Sequence, residues 1–320
     1  MSPEDVPLTQ KICKALGAPM CDIDRVEFKN GVPQPELLES VRGKFAVLIQ
    51  TTYPNPKEKF TELQLTLDAA RASHAKFILA VIPYTPFARS DKKDRPRIGY
   101  GFRAFAEAVD LYANSTLLCD LHNDATGGYF KRSDSITARE LLFHHIKKHL
   151  NIEAVLALDT GSVKRSQKMA NALNVPYGIM DKKRKGNTDS VEAYNIFGLD
   201  VRGKNVLAIE DEVSTGGSLV MGAELSMHHG ASKFYGACSH GVLCDEATKR
   251  ICTSPITQLI TTNTVCVPDD HVRKLLVQTK KIVVLDMAPI FAEAIRDIYL
   301  NIPMGKLFDY GESYPYNGKG

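Results

Sequence analysis

The chain alternates short apolar runs with longer amphipathic stretches. Phe45 to Gln50, Phe77 to Ile82, Ser115 to Cys119, Ala154 to Leu158, Tyr177 to Met180 and Val206 to Ile209 are the clearest runs. They show little polar alternation, which predicts strands of a parallel sheet covered on both faces. Phe234 to Gly236, Leu259 to Thr262 and Lys281 to Leu285 read as later strands. Between them, Thr61 to Ala72 (Leu63, Leu67 and Ala70 on one face), Phe102 to Tyr112, Thr137 to Leu150, Ser166 to Leu173, Leu219 to His228 and Ala288 to Tyr299 predict helices. Ahead of the first strand, Asn30-Gly31 is a strong turn signal. Asp309 to Gly320 is a polar tail, expected to be loosely ordered.

This alternation runs through both halves and predicts an α/β protein with two doubly wound, mainly parallel sheets flanked by helices. A length of 320 residues suits two domains. The boundary is expected near residues 145 to 152, giving domains 1-148 and 149-320.

Composition narrows the class. A net charge of +3 is too small to argue for nucleic acid or a membrane surface. Seven cysteines, an odd number without a CxxC pair, read as reduced thiols of a cytoplasmic protein. The chain opens on the polar, acidic Ser2-Pro-Glu-Asp5, and no apolar run approaches the roughly 18 residues of a membrane span.

The chemistry gathers where apolar runs end. Val206 to Ile209 is followed by Glu210 and Asp211, then by Ser214, Thr215, Gly216, Gly217 and Ser218, and then by an apolar helical segment. Glycines let a turn bring several N–H groups toward one point, and a helix N-terminus adds partial positive charge there. Carboxylates at the strand end can accept hydrogen bonds from sugar hydroxyls. The order fits a sugar-phosphate site; a plain Gly-rich connection is the bland alternative. No Gly-Lys-Ser/Thr follows, so it is not a Walker loop.

Soon after Ile82 comes Ala88-Arg-Ser-Asp-Lys-Lys-Asp-Arg-Pro-Arg97, in which seven of ten residues are charged. It reads either as a solvated loop or, at a strand's carboxyl end, as a polyphosphate site. Asp120-Leu-His122 closes the run at Cys119 and offers a carboxylate and an imidazole for metal or phosphate. Asp159-Thr-Gly-Ser-Val-Lys-Arg165 and Asp181-Lys-Lys-Arg-Lys-Gly-Asn187 follow two strands of the second half. Gly99-Tyr-Gly-Phe-Arg-Ala104 follows a charged loop rather than a strand, so it is no dinucleotide fingerprint.

Taken in order, these motifs resemble those of the ribose-phosphate pyrophosphokinase (phosphoribosyl diphosphate synthetase) family, from about Phe28 to Asp309. Phe28-Lys-Asn-Gly-Val32 and Glu39-Ser-Val-Arg-Gly43 are similar to its adenine-binding loop and the segment after it. The 88–97 run is similar to its ATP loop, Asp120-Leu-His122 to its metal- and ATP-contacting motif, and Asp181-Lys-Lys-Arg184 to the start of its mobile catalytic loop. Ser239-His-Gly241, Ser254-Pro-Ile256 and Leu307-Phe-Asp309 fit too, and the Gly-rich stretch resembles the ribose-phosphate loop.

The resemblance implies two similar phosphoribosyltransferase-like domains and transfer of the diphosphate of ATP to O1 of ribose 5-phosphate. It implies Lys182 and Arg184 as catalytic residues, with Lys183 and Lys185 adding charge, on a stretch of 182–200 that moves as a lid. Phe28, Asn30, Gly31, Val32, Arg89, Ser90, Asp91 and His122 would bind ATP. Glu210, Asp211, Ser214, Thr215, Gly216, Gly217 and Ser218 would bind ribose 5-phosphate, with Mg²⁺ held near His122 and Asp159. The implied assembly is a homo-oligomer, dimers built into a hexamer.

Three positions depart from the family pattern. Val32 stands for an acid, Ser90 for a glutamine, and Ser214 for an acid facing the ribose. They leave open an active but divergent synthetase, a silent relative that regulates a synthetase, and a phosphoribosyltransferase that consumes the diphosphate product.

Overall fold

The computed structural model describes residues 6–184, 191–265 and 279–307, with side chains outside 182–184, 191–194 and 306. The polar tail expected from residue 309 lies outside them. The chain divides into two units.

In the first unit, β3 (Phe45–Ile49), β4 (Phe77–Ile82), β5 (Ser115–Cys119) and β6 (Ser133–Ile136) form a four-stranded sheet in that order, every pair parallel. Its strands are apolar because helices cover the sheet. α2 (Pro56–Ala72) and α3 (Gly101–Asp110) place Leu63, Leu67, Phe102, Phe105 and Val109 against Leu48, Ile78, Ala80, Ile82 and Leu118. Each such buried side chain contributes roughly 1.5–3 kcal/mol. Ahead of the sheet, α1 (Val6–Leu16) is followed by an antiparallel hairpin of β1 (Ile23–Glu27) and β2 (Pro33–Leu37), turning where Asn30-Gly31 predicts.

In the second unit, α4 (Arg139–His149) precedes a seven-stranded sheet. Its strands are β7 (Ala154–Ala157), β8 (Tyr177–Arg184), β9 (Val191–Phe197), β10 (Asn205–Val213), β11 (Lys233–Gly241), β12 (Ile256–Thr262) and β13 (Ile282–Leu285). Their order is β13-β12-β11-β10-β7-β8-β9, parallel except for the β8–β9 pair. The helices α5 (Val163–Leu173), α6 (Gly217–His228) and α7 (Ala247–Thr253) belong to this unit.

From β7 the chain builds outward through β8 and β9, then returns to lay β10 on the other side of β7. The order therefore reverses between β7 and β10, and ligands of such sheets bind outside the strand ends at that point.

Two expectations change. The division comes between Thr137 and Ala138, not at 148, and the chain from Asp286, with α8 (Ala288–Leu300), belongs to the first unit. Within the stretch expected to be a lid, 182–184 and 191–197 are strand residues, β9 pairing back along β8; residues 185–190 lie outside the description.

Candidate functional site

The second unit's candidate site stands at the reversal point. β10 pairs with β7 only at Val206 and Leu207, but continues along β11 to Val213. Glu210 and Asp211 therefore lie on the strand, beyond the reach of β7. On the far side of the reversal, the chain leaves β7 through Asp159-Thr-Gly-Ser162 into α5. The Ser162 N–H donates to Asp159 Oδ1 at 2.9 Å, which fixes this exposed carboxylate at the strand end.

α5 then places Arg165 in its first turn. Its Nη1 donates to Glu210 Oε2 at 3.2 Å and lies 3.3 Å from Asp211 Oδ1. Below them, Cys238 of β11 is the register partner of Glu210. Burial pushes its thiol up to about 12, with a smaller rise from the charges of Asp211 and Glu210, so it stays neutral.

The glycine turn follows β10. Gly216 sits at φ +73°, a conformation that suits glycine, and Gly217 begins α6. A helix start leaves its first N–H groups without carbonyl partners inside the helix, which makes it a place for an anion. The turn is braced from behind. Leu243 N–H donates to Val213 O at 3.1 Å, and the Ser214 hydroxyl meets the Cys244 thiol at 3.1 Å. Arg250 of α7 donates to the Thr215 carbonyl, and Ile251 closes over Gly216. Ser214, Thr215, Gly216, Gly217 and Ser218 thus form one continuous turn onto a helix N-terminus.

In the first unit, the candidate loops also follow strands. A short 3-10 turn, Pro86–Arg89, comes after β4 and leaves Arg89 and Ser90 exposed. Asp91 is buried, and it ties two loops together. Asn123 Nδ2 donates to Asp91 Oδ2 at 3.1 Å, and Tyr129 OH donates to the Asp91 carbonyl at 2.9 Å. Asp120, also buried, accepts from Thr137 Oγ1 at 2.6 Å and holds a positive φ of 38° where β5 ends. His122 is exposed two residues on. The basic loop and the Asp-Leu-His motif are therefore held together; Asp91 and Asp120 anchor them, while Arg89, Ser90 and His122 face outward.

The hairpin forms a separate part of this unit. Phe28 N–H donates to Val32 O at 3.0 Å, and Gly31 N–H to Phe28 O at 2.7 Å. This tight turn leaves Phe28 51% and Val32 47% exposed. Asn30 accepts from the Val32 N–H, so its side chain shapes the turn. Between the hairpin and α2 is a cavity of about 510 Å³.

Lys182 and Arg184 lie at the end of β8, opposite Ala193 and Val191 of β9; their side chains, and all of Lys185, lie outside the description. Among the described residues no three His, Cys, Asp or Glu side chains form a metal cage. Magnesium needs none: it keeps several waters and binds through one or two carboxylates plus substrate phosphates. An exposed Asp159 fits that habit. Sequence reasoning missed Arg165, Asn123, Arg250 and Cys244, whose signals were a basic residue after Asp159, a polar residue beside His122, and nothing distinctive for the last two.

Residues 3–110 match the N-terminal domain of ribose phosphate pyrophosphokinase, and residues 161–309 match the phosphoribosyl synthetase-associated domain. The chain is 37% identical over 307 residues to the ribose-phosphate pyrophosphokinase of Deinococcus radiodurans, covering 94% of each protein. It is 34% identical over 308 residues to that of Chlorobaculum tepidum, covering 94% of this chain and 92% of the relative. Among solved structures, the phosphoribosylpyrophosphate synthetase from Mycobacterium smegmatis aligns with a TM-score of 0.83 at 29% identity, covering 92% of this chain and 96% of the other.

Proposed function

The chain belongs to the ribose-phosphate pyrophosphokinase family, and from that premise we propose how its own residues carry the reaction. It transfers the diphosphate of ATP to O1 of ribose 5-phosphate and releases AMP. The observation that carries the residue assignment is the strand end at the reversal point: two carboxylates on β10, then a glycine turn into α6.

In this reading the N–H groups from Ser214 to Ser218 bind the 5-phosphate, helped by the α6 N-terminus. Glu210 and Asp211 accept hydrogen bonds from the ribose hydroxyls. This fixes O1 for in-line attack, and positioning of that kind supplies much of the rate in phosphoryl transfer. Phe28 and the turn Asn30-Gly31-Val32 receive the adenine side of ATP; Arg89, Ser90 and His122 receive its phosphates. Asp91 contributes by holding the loop that carries Arg89. Lys182 and Arg184 supply positive charge at the transferring phosphorus. Mg²⁺, with Asp159 as its protein contact in the second unit, would neutralise charge on the phosphate oxygens.

The silent-regulator and transferase readings are not favoured. Lys182, Arg184, His122, Asp120 and Asp159 are kept, and Val32, Ser90 and Ser214 become questions of specificity. The proposed assembly, dimers built into a hexamer, is read by sedimentation velocity. AMP release from ATP and Mg²⁺, with and without ribose 5-phosphate, tests the function. AMP and the phosphoribosyl diphosphate should form in equal amounts and only with the sugar; folded protein that releases none would sink the reading.

A further inference from the structure

Glu210 and Asp211 are consecutive residues of a strand. Successive side chains of a strand point to opposite faces, so the pleat alone would send the two carboxylates apart. Yet one guanidinium nitrogen reaches both, at 3.2 and 3.3 Å. It can do so because β7 has ended and the edge of β10 is open there, so a side chain from α5 can come in along the edge. The three side chains are mostly buried, with 19% of Arg165, 16% of Glu210 and 12% of Asp211 exposed. Two carboxylates so close and so little hydrated repel each other, and a guanidinium shared between them offsets that repulsion and holds them together.

We propose that Arg165 is a specificity-determining positioning residue, which holds Glu210 and Asp211 side by side so that the sugar is read through two adjacent hydroxyls. The inference rests on the assignment of these carboxylates to ribose. A pair of aligned acceptors matches a cis-diol. A sugar lacking one hydroxyl forfeits one of the two bonds, and sites built to bond a hydroxyl reject analogues that lack it. The ligand class is thus a phosphorylated pentose with both the 2- and 3-hydroxyls, and 2-deoxyribose 5-phosphate is the diagnostic competitor. Arg165 contributes no bond to the reacting atoms; it acts through the two acids.

The test is AMP release by the wild type, Arg165→Gln and Arg165→Lys with saturating ATP, using ribose 5-phosphate and 2-deoxyribose 5-phosphate. The wild type should prefer ribose by about 10²-fold or more in kcat/KM. Arg165→Gln should lose roughly tenfold or more of that preference, and the KM for ribose 5-phosphate should rise while the KM for ATP stays within about twofold. Arg165→Lys, which keeps the charge on a shorter side chain that reaches the two acids less well, should fall between them. A variant that slows both sugars equally would make Arg165 merely structural and overturn the proposal. If Arg165→Gln does not fold, an unchanged preference in Arg165→Lys overturns it in the same way. A wild type that releases no AMP would sink the synthetase reading instead. Calorimetric titration of the two sugar phosphates onto the same proteins would then read the preference as a ratio of Kd values, with the same outcomes deciding.

Discussion

The two sheets present their candidate chemistry differently. In the second unit the strand order reverses between β7 and β10, so Asp159, just past β7, and Glu210, on β10, come from the two strands that flank the reversal. The first unit's sheet runs β3-β4-β5-β6 without a reversal. Its candidate residues are carried on loops and on a two-stranded hairpin, and those meant for ligand are exposed. A reversal gives a rigid site with a dry floor and a braced turn. A consecutive sheet must build its site out of loops and tie them, as Asn123 and Tyr129 tie Asp91. The ribose side should therefore be intolerant of change and the nucleotide side tolerant.

The largest effect should come from Gly216→Val. A β-branched residue at φ +73° is strained, and its Cβ would lie 3.3 Å from Ile251. Losing the backbone donors of the turn should lower kcat/KM for ribose 5-phosphate by about 10²- to 10³-fold. A normal rate in steady-state assays would show that the turn does not bind the phosphate. Next is Gly222→Ala. Its Cβ would come 2.4 Å from a Leu158 methyl and 3.4 Å from Phe234, so the buried Leu158 must repack against α6. The expected cost is about 1–3 kcal/mol by urea unfolding, with a rise in KM for ribose 5-phosphate; destabilisation without that rise would uncouple the helix from the site.

Phe28→Ala tests the other side. The exposed ring carries little fold energy, so stability should change by less than about 0.5 kcal/mol. The KM for ATP should rise roughly tenfold if the ring stacks on adenine, and an unchanged KM would remove Phe28 from the ATP site. The smallest effect concerns Cys238. Its folded value, about 12, lies above the ordinary 9. Above pH 9 the unfolded thiol ionises while the folded one does not, so stability falls as pH rises from about 9 toward 12. Cys238→Ala should flatten that decline in Tm between pH 9 and 10.5; an equally steep decline would mean the floor beneath Glu210 is wet.

The sequence made the central elements legible because buried parallel strands are nearly continuous apolar runs, as in Phe77–Ile82. It failed where a strand is held by pairing rather than by apolarity. β10 runs on through Glu210, Asp211 and Glu212 because β11 still pairs with it. β6 and β9 escape notice for a related reason: Ser133–Ile136 is short, and both it and Val191–Phe197 carry polar residues. The short α7 went unseen as well. The acids and the glycine turn could be read because they are local in sequence. Arg165 could not, because it meets Glu210 across 45 positions and only the path of α5 beside the open edge joins them. Likewise, Asp91 could be read as a candidate ligand but not as the tie between two loops.

The first unit is assembled from both ends of the described chain. α1 and α8 pack together, Lys11 reaches Asp286 at 2.8 Å, and Tyr299 sets its ring edge on Phe45 at 5.2 Å. Thr51 also donates to the carbonyl of Thr264. On the ribosome, everything up to Thr137 emerges long before the helix that covers it. The second unit, whose strands from β7 to β13 emerge in one stretch, can close while the first still waits. The unit begun first therefore waits for α8, made after the last strand of the second, and a nascent chain stalled after Thr137 would expose the apolar face of α1 to chaperones and proteases.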